Sequence, residues 1–375
     1  MSRSPRARLR RVRLFTLAKY GDVKELFCDL DRWSGEFGQS PLYVREGGLR
    51  SDPPEHTVYR KLITRAFSAR RVASLEPFVR QTATALLDDV VHRGTADLVA
   101  AYSGPIPVLV TAHLLGVPAE RHAEFRRWSD DFIAAQDTAD PAAQQKARDV
   151  IDGYFRSELA ERRALVAREG PEALPDDLVS VLASAERDGR PFTIEELLPL
   201  LLLLLVGGID TTRSLIGNLV QRLLTLDLWE VCTQPELLDA AIEESLRLDP
   251  PVLGLFRTAR GEQVVRDVRI PDGAKVQGLY VSANRDPEVF DDPDTFRIDR
   301  PREELRRHLS FGAGGTLCPG AALARMEARV ALEQLHDRLP GLHLAGTAEN
   351  RGSFMVGGPV RIPIAWRTQP AGTEV

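Results

Sequence analysis

Apolar residues recur every three to four positions through much of the first half of the chain. Between residues 75 and 170 this spacing continues except at residues 92–94, 116–118 and 137–141. Recurrence at this period is typical of amphipathic helices that pack one face on a core. The alternation that indicates a strand is absent from the same region. The pattern therefore predicts several helices and no strand here, with a polar loop at residues 137–141 that joins two helices.

One predicted helix differs from the others because it is apolar on nearly every side. It starts with the Thr193 and Glu196 spacing of a capping box and continues through a leucine-rich run. A helix without a polar face belongs in the protein interior. Gly207 and Gly208 interrupt it, and each lowers the stability of the helix by about 1 kcal/mol relative to alanine. Three polar residues follow at positions 210–212. Because such breaks of local rules mark functional sites, we expect a site here; the alternative is a polar patch between two helices.

Strand-like patterns are confined to short segments. A strand followed by a short helix is predicted for residues 15–33, and a β-hairpin around a Pro-Asp-Gly turn for residues 264–283. Residues 283–300 are irregular and contain several prolines, and terminal strands are predicted for residues 341–346 and 353–367. The fold class that follows is mainly α with a smaller β portion.

Composition limits the class of protein. The chain has 375 residues, 43% of them hydrophobic, and a net charge of −5 that gives no general attraction to nucleic acid or to a membrane. Its longest apolar run, residues 197–209, contains Pro199 and is too short to span a bilayer. We expect a soluble, cytoplasmic, monomeric protein with one domain at residues 15–367, a basic arm at residues 1–14 and a tail at residues 368–375.

Candidate chemistry is concentrated in the loop before the last long predicted helix. The three cysteines of the chain fit neither a disulfide framework nor a Cys/His zinc site. Cys318 follows a glycine-rich run and precedes Pro319, which suits the first position of a helix. Backbone N–H groups converging there, together with the start of the helix, stabilise a thiolate. The loop therefore predicts a nucleophile or a soft metal ligand at Cys318; the alternative is a buried structural cysteine in a turn.

The spacing of this loop, Phe311-x-x-Gly314-x-x-x-Cys318-x-Gly320, resembles the cysteine-ligand loop of the cytochrome P-450 superfamily. The resemblance implies that the Cys318 thiolate is the ligand of a haem iron. It also implies the cytochrome P-450 fold, a single domain with haem b buried between a long distal helix and the cysteine loop. One position departs from the family pattern, because Thr316 stands where His or Arg is common.

The apolar helix resembles the same family in its polar break. Gly207 and the pair Asp210-Thr211 match the acid–alcohol motif of the distal helix. The resemblance implies that Gly207 lies against the haem, and that Asp210 and Thr211 are catalytic because they hold water and relay protons for oxygen activation. Thr212 lies about 100° further round the helix, so we expect it not to reach the same point.

Glu244 and Arg247 resemble the Glu-x-x-Arg pair of the family. They are three residues apart and therefore share one helix face. The resemblance implies a buried structural pair that braces the cysteine loop. Whether Arg297 or Arg300 completes this network is open at the level of the sequence.

The family also implies haem-carboxylate and substrate contacts at matching positions. His56 and Arg60, on one helix face, and Arg257 match cations that hold the haem propionates. Six apolar residues match positions that face the substrate, which predicts a hydrophobic ligand. They are Leu203, Val206, Leu253, Leu255, Met355 and Val356.

Taken together, the motifs imply a haem-thiolate monooxygenase of the bacterial type. By this resemblance the protein takes electrons from a separate ferredoxin-type partner with its reductase. With O₂ as co-substrate it then hydroxylates or epoxidises a hydrophobic small molecule. Three alternatives stay open: peroxide-driven oxidation, oxidative coupling or rearrangement, and a non-catalytic haem-binding sensor. The Asp210-Thr211 pair argues against the first and the third.

Overall fold

The computed structural model describes residues 14–39, 47–64, 66–136, 141–353 and 355–368. In this part of the chain the fold is mainly helical with a smaller β portion, as the sequence predicts. Most of the predicted basic arm, of the C-terminal tail and of the polar loop between two helices lies outside the described residues. Leu14, predicted as the end of the arm, already belongs to the first strand.

Twelve α-helices account for most of the described residues. They are α1 (Tyr20–Cys28), α2 (Glu55–Thr64), α3 (Ala69–Asp88), α4 (Pro105–Leu115), α5 (His122–Gln136), α6 (Pro141–Glu169), α7 (Leu178–Ala183), α8 (Ile194–Thr225), α9 (Pro235–Leu248), α10 (Tyr280–Ala283), α11 (Arg302–Leu305) and α12 (Ala321–Arg338). A π-helical turn, Val99–Ser103, leads into α4. None of the helices in the described ranges combines the length and the apolar character needed to cross a membrane.

Thirteen short strands form small sheets in the described residues. They are β1 (Leu14–Leu17), β2 (Trp33–Ser34), β3 (Thr95–Asp97), β4 (Glu186–Arg187), β5 (Arg190–Pro191), β6 (Gly254–Ala259), β7 (Gln263–Val265), β8 (Val268–Ile270), β9 (Lys275–Leu279), β10 (His343–Leu344), β11 (Glu349–Asn350), β12 (Pro359–Arg361) and β13 (Pro363–Ala365). The largest sheet has the order β1-β9-β6-β2, and a three-stranded sheet has the order β10-β13-β3.

Helix α8 runs through the centre of the helical layers. Its start is the capping box that the sequence predicts, because the Glu196 N–H donates to Thr193 Oγ1 at 3.2 Å and the Thr193 N–H donates to the Glu196 carboxylate at 2.7 Å. Helices α4, α6, α9 and α12 pack on α8, and its buried residues join two apolar clusters. Gly217 permits close approach of β12, since a Cβ there would lie 2.7 Å from Pro359. This enclosure explains why α8 has no polar face.

The β portion differs from the sequence prediction in two places. The hairpin turns at Arg266 and Asp267, which have φ of 46° and 66° as in a type I′ turn, so that β7 pairs with β8. The Pro-Asp-Gly segment instead links β8 to β9, which pairs with β1 and β6. Strand β3 lies in the region predicted to contain no strand, and it pairs with β13. Three residues are too few to show an alternating pattern, so only the distant partner reveals this strand.

Candidate active site

A large cavity lies between α8 and the loop that leads into α12. Its volume is about 270 Å³. Helix α8 contributes one wall, with Leu203, Leu204, Gly207, Gly208, Thr211, Thr212 and Leu215. The cysteine loop and α12 contribute the facing wall, with Ser310, Phe311, Gly312, Thr316, Cys318, Pro319, Gly320, Leu323, Ala324 and Glu327. The fold therefore brings together the two sequence segments that carry the candidate chemistry.

Glycines hold the cysteine loop in conformations that other residues adopt poorly. Gly312 has φ of 78° and Gly314 has φ of 62°, both in the left-handed region. A Cβ at Gly314 would also lie 3.1 Å from the Sγ atom of Cys28, so the loop packs closely on α1. Gly314 thus shapes the loop from behind, whereas Gly312 borders the cavity itself.

Cys318 ends this loop, just before α12. Its N–H donates to the Phe311 carbonyl oxygen at 2.8 Å. The helix starts at Ala321 with Gly320 as its N-cap, so Pro319 lies in the preceding turn and not at the first helical position that the sequence predicts. Burial raises the pKa of the Cys318 thiol, and the Gly320 N–H, the charges of Arg60 and Arg325 and the Ala321 N–H offset this rise only in part. The N–H groups act in the predicted direction, but a thiolate here also needs a positive charge within the cavity.

Three basic side chains meet at one end of the cavity: His56, Arg60 and Arg257. Arg257 is 2% exposed, and it donates to the Phe256 carbonyl oxygen at 3.0 Å and to Thr316 Oγ1 at 3.4 Å. Its Nε atom has no hydrogen-bond partner among the described residues. Burial lowers the pKa of Arg257, and burial together with Arg60 and Arg257 lowers the pKa of His56. Because buried cations are costly without an anion, this end of the cavity suits an anionic group.

The glycines of α8 have different neighbours. A Cβ at Gly207 would have no atom within 4 Å, so this face of the helix is open to the cavity, whereas a Cβ at Gly208 would lie 3.1 Å from Thr111 Oγ1 of α4. The Thr211 hydroxyl donates to the Gly207 carbonyl oxygen at 2.6 Å. Thr212 also borders the cavity. The cavity therefore extends along more than one face of α8, and the expectation that Thr212 does not reach the same point as Thr211 stays a prediction.

Asp210 does not belong to the cavity wall in the described structure. The residue is 7% exposed, and its carboxylate forms ion pairs with Arg213, one turn along α8, and with Arg351, between β11 and β12. The sequence places Asp210 beside Thr211 as a proton source. The structure keeps the two residues adjacent but surrounds the carboxylate with two guanidinium groups.

Glu244 and Arg247 form the buried pair that the resemblance implies, with both side chains fully buried. Arg247 Nη2 and Nε donate to the two carboxylate oxygens at 2.7 Å and 2.8 Å. Arg300 completes the network, because its Nε lies 2.9 Å and 3.1 Å from the same oxygens. Arg297 contributes only its backbone N–H, at 2.9 Å from Glu244 Oε1.

This network reaches the cysteine loop through the irregular segment before it. Arg247 donates to the carbonyl oxygens of Asn284 at 2.8 Å and Pro293 at 2.7 Å. The Asn284 side chain in turn accepts from the Leu309 N–H at 2.7 Å and donates to Ser310 Oγ at 2.8 Å. The brace expected from the sequence is therefore indirect, with Asn284 as its intermediate.

The predicted substrate contacts divide into two groups. Leu203 and Leu255 border the cavity. The other four do not belong to its wall as described: Val206, Leu253, Met355 and Val356. The Leu253 N–H donates to the Met355 carbonyl oxygen at 2.8 Å, and its side chain lies 3.0 Å from the position of a Cβ on Gly357. Backbone pairing thus places Leu253 beside Met355 and Gly357, and Pro251 and Val252 border the cavity instead.

Sequence reasoning missed two ionisable residues of the wall, Tyr280 and Glu327. The Tyr280 ring packs on Phe27 with ring centroids 4.9 Å apart, and burial raises the pKa of its hydroxyl. Glu327 lies four residues after Leu323 and three before Val330, within the buried stripe of α12. A carboxyl group at an apolar helical position is a signal that could have found it.

Comparison with known proteins agrees with this geometry. The family model described as Cytochrome P450 matches residues 228–338. Cytochrome P450 107B1 of Saccharopolyspora erythraea is 35% identical over 97% of this chain and 93% of its own length. Mycinamicin IV hydroxylase/epoxidase of Micromonospora griseorubida is 36% identical over 93% of this chain and 89% of its own. The crystal structure of CYP109E1 from Bacillus megaterium in complex with testosterone has a TM-score of 0.82 at 31% identity, covering 94% of this chain and 92% of the other. Because both the sequence and the fold are shared over nearly the whole length, the chain belongs to the cytochrome P450 family.

Proposed function

We propose that the chain hydroxylates or epoxidises a bulky, mostly apolar organic molecule that binds beside α8. The family makes it a haem-dependent monooxygenase with O₂ as co-substrate. The observation that carries the substrate class is the apolar character of much of the cavity wall. Its members include Leu115, Leu203, Leu204, Val252 and Leu255. A wall of this kind binds ligands by shape and burial, with few polar contacts to orient them.

Two relatives support this size and polarity. One is named for the hydroxylation and epoxidation of mycinamicin IV, and the other was crystallised with testosterone. We propose a substrate in the same range, a natural product or a steroid-like molecule.

Haem b fits the residues on both walls and at one end of the cavity. Cys318 offers a sulfur ligand on the cavity wall, and its thiolate needs a nearby cation. Gly207 leaves room for a flat group against α8. Arg257, with Arg60 and His56, would hold carboxylates of the cofactor, because the buried guanidinium keeps one N–H free of described partners. The bound haem supplies the chemistry that activates O₂.

In this proposal the Thr211 hydroxyl accepts and passes on protons on the α8 side of the cavity. It donates to the Gly207 carbonyl oxygen and can still accept a hydrogen bond from water in the cavity. The ion pairs of Asp210 with Arg213 and Arg351 fix a carboxylate one residue away. We propose that Asp210 connects Thr211 with solvent.

We further propose that electrons come from a separate ferredoxin-type protein with its reductase. An iron–sulfur cluster is typically held by four thiolates, and this sequence has three cysteines, of which Cys318 is assigned to haem iron. Reconstitution with a ferredoxin, its reductase and a nicotinamide donor tests the arrangement, since omission of the ferredoxin should abolish turnover.

Spectral titration of the haem protein with a compound panel tests the substrate class. We expect steroid-sized apolar compounds to shift the haem absorbance and to gain one oxygen atom, which labelled O₂ identifies by mass. Leu255→Gln should weaken binding, because Leu255 borders the cavity, whereas Leu253→Gln is the matched control off the wall. Shifts given only by small polar compounds, or equal effects of the two variants, would contradict the proposal.

A further inference from the structure

The cavity wall contains a hydroxyl group that the function proposed above does not use, that of Tyr280. The residue directly follows β9, is 3% exposed and borders the cavity. Its hydroxyl has no hydrogen-bond partner among the described residues. A buried hydroxyl without a partner is unfavourable, and a phenol O–H can both donate and accept. The position therefore leaves this hydroxyl to a group that occupies the cavity.

Phe27 on α1 supports Tyr280 and Arg257 together. Its ring is 1% exposed. The Tyr280 ring packs on it with ring centroids 4.9 Å apart, and the central carbon of the Arg257 guanidinium lies 4.6 Å from the Phe27 centroid. Burial raises the pKa of the Tyr280 hydroxyl, and the nearby charge of Arg257 offsets this rise only in part. The hydroxyl therefore keeps its proton at neutral pH and remains a donor.

The Tyr280 hydroxyl also lies beside the cysteine loop. A Cβ on Gly312 would lie 3.7 Å from Tyr280 Oη, and Gly312 itself borders the cavity. Arg257 reaches the same loop, because its Nη2 donates to Thr316 Oγ1 at 3.4 Å. Arg257 belongs to β6, which pairs with β9. The strand pairing thus brings the hydroxyl and the guanidinium to the same end of the cavity, the end that suits an anionic group.

Other donors at this end of the cavity are partly engaged within the chain. Burial lowers the pKa of His56, so its ring is neutral at pH 7. Arg60 Nη1 donates to the Leu317 carbonyl oxygen. The Thr316 hydroxyl donates to the Ala313 carbonyl oxygen at 3.1 Å. A carboxylate offers about four lone-pair sites, and haem b carries a pair of propionates, so a further donor beside the buried guanidinium suits this cofactor.

We infer that the Tyr280 hydroxyl donates a hydrogen bond to the haem propionate that Arg257 binds. The inference rests on the haem site proposed above. A hydrogen bond to an ionised carboxylate is stronger than one between neutral groups, so a neutral O–H strengthens the contact and adds no further charge to a buried site. Tyr280 is therefore a haem-binding residue as well as a packing partner of Phe27, and it slows the loss of haem from the protein.

Transfer of haem to an apo-globin acceptor tests this contact. Tyr280→Phe removes the hydroxyl and keeps the ring that packs on Phe27. We expect about tenfold faster transfer, since one hydrogen bond to a charged group is lost, and an unchanged carbon monoxide spectrum, since Cys318 is untouched. Tyr59→Phe is the matched control, because Tyr59 is also a buried tyrosine but lies off the described cavity wall. Parent-like transfer in Tyr280→Phe overturns the inference.

Resonance Raman spectroscopy of the intact haem protein shows which group the hydroxyl contacts. We expect the propionate bending band to shift in Tyr280→Phe and to stay in place in Tyr59→Phe. The iron–sulfur stretching band should stay in place in both variants, because neither change touches Cys318. A shift of the iron–sulfur band alone would assign the hydroxyl to the thiolate and overturn the inference.

A double variant tests whether Tyr280 and Arg257 hold the same propionate. In Arg257→Ala the further change Tyr280→Phe should speed haem transfer less than it does in the parent, because the carboxylate is no longer fixed beside the hydroxyl. Fully additive effects overturn the inference. Circular dichroism checks the fold: Tyr280→Phe should stay folded, and an unfolded variant would give the hydroxyl a structural role and overturn the inference too. A parent protein that binds no haem would refute the haem site proposed above, and this inference with it.

Discussion

The two main walls of the cavity are stabilised in different ways. Behind the cysteine loop, the fully buried charges of Glu244, Arg247 and Arg300 are joined by hydrogen bonds of 2.7–3.1 Å. On the other side, α8 offers mostly leucines and the open face of Gly207. Removal of one partner of a buried ion pair lowers stability strongly, whereas replacement of one apolar side chain by another lowers it less. We therefore expect substitutions on the cysteine side to change stability and haem binding, and substitutions on α8 to change selectivity and coupling.

Loss of the cysteine itself should have the largest effect. Cys318→Ala leaves the loop without a sulfur ligand, so we expect complete loss of the thiolate-type carbon monoxide spectrum and of oxygenation. Cys28→Ala, on α1, and Cys232→Ala, at a buried site where burial raises the thiol pKa to about 12, should keep both. Normal turnover by Cys318→Ala would show that the assignment of the iron ligand is wrong.

Arg300→Ala should lower the free energy of unfolding more than any other of these substitutions. It removes one of two guanidinium groups from a fully buried carboxylate, and we expect the free energy of unfolding to fall by about 3–5 kcal/mol. Urea denaturation followed by circular dichroism measures this. Arg297→Ala is the control, because that side chain forms only partly exposed pairs with Asp292 and Asp299 and should cost under about 1 kcal/mol. Equal losses in the two variants would contradict the assignment of Arg300 to the buried network.

Acid should destabilise the part of the fold that supports the cysteine loop. Burial raises the pKa of Glu243, but hydrogen bonds from His308 and Arg325 outweigh it and lower the pKa to about 2. Because the folded pKa lies below the unfolded value of 4.5, this stabilisation is present above that value and is lost as the pH falls toward about 2. The loss amounts to roughly 3 kcal/mol. Urea denaturation across this pH window should show the loss in the parent protein and a flatter profile in Glu243→Gln; identical profiles would exclude Glu243 as the source.

Arg257→Ala should weaken haem retention. A buried hydrogen bond to a charged group contributes about 1.5–3 kcal/mol, so we expect roughly ten- to a hundredfold faster transfer of haem to an apo-globin acceptor. Thr316→Arg in the same chain should restore part of the retention, because it returns a cation beside Arg257. Arg260→Ala is the control, since Arg260 is exposed and paired with Asp52. Unchanged transfer in Arg257→Ala would contradict the proposed carboxylate contact.

The smallest effect should come from the α8 side. Thr211→Val keeps the shape of the residue and removes its hydroxyl, so haem and substrate should bind as before. Product per reducing equivalent should fall about three- to tenfold while released hydrogen peroxide rises. Thr212→Val should have a weaker effect on the same ratio. A larger loss in Thr212→Val than in Thr211→Val would mean that the proton-handling role belongs to the other threonine.

The β portion shows how far local patterns reach. A strand and a helix near the N-terminus were predictable because β1 and α1 are continuous segments with their own periodicity. The pairing of β9 with β1 and β6, and not with β8, was not predictable. The turn at Arg266 and Asp267 decided that difference, because two residues at positive φ reverse the chain before the glycine turn is reached.

The sequence by itself determined the features that depend on neighbours along the chain. The capping box of α8, the Glu244–Arg247 pair and the glycine conformations before Cys318 all follow from spacings of a few residues, which backbone geometry converts directly into contacts. Only the tertiary structure decided which residues that are far apart in the sequence come into contact. It selected Arg300 over Arg297 as the partner of Glu244 across 56 residues, and it brought Arg351 to Asp210 across 141 residues. It also left Glu327 buried beside the cavity with no described cation to pair it. The physical reason is that burial and charge pairing depend on the packing of separate segments, which no local spacing encodes.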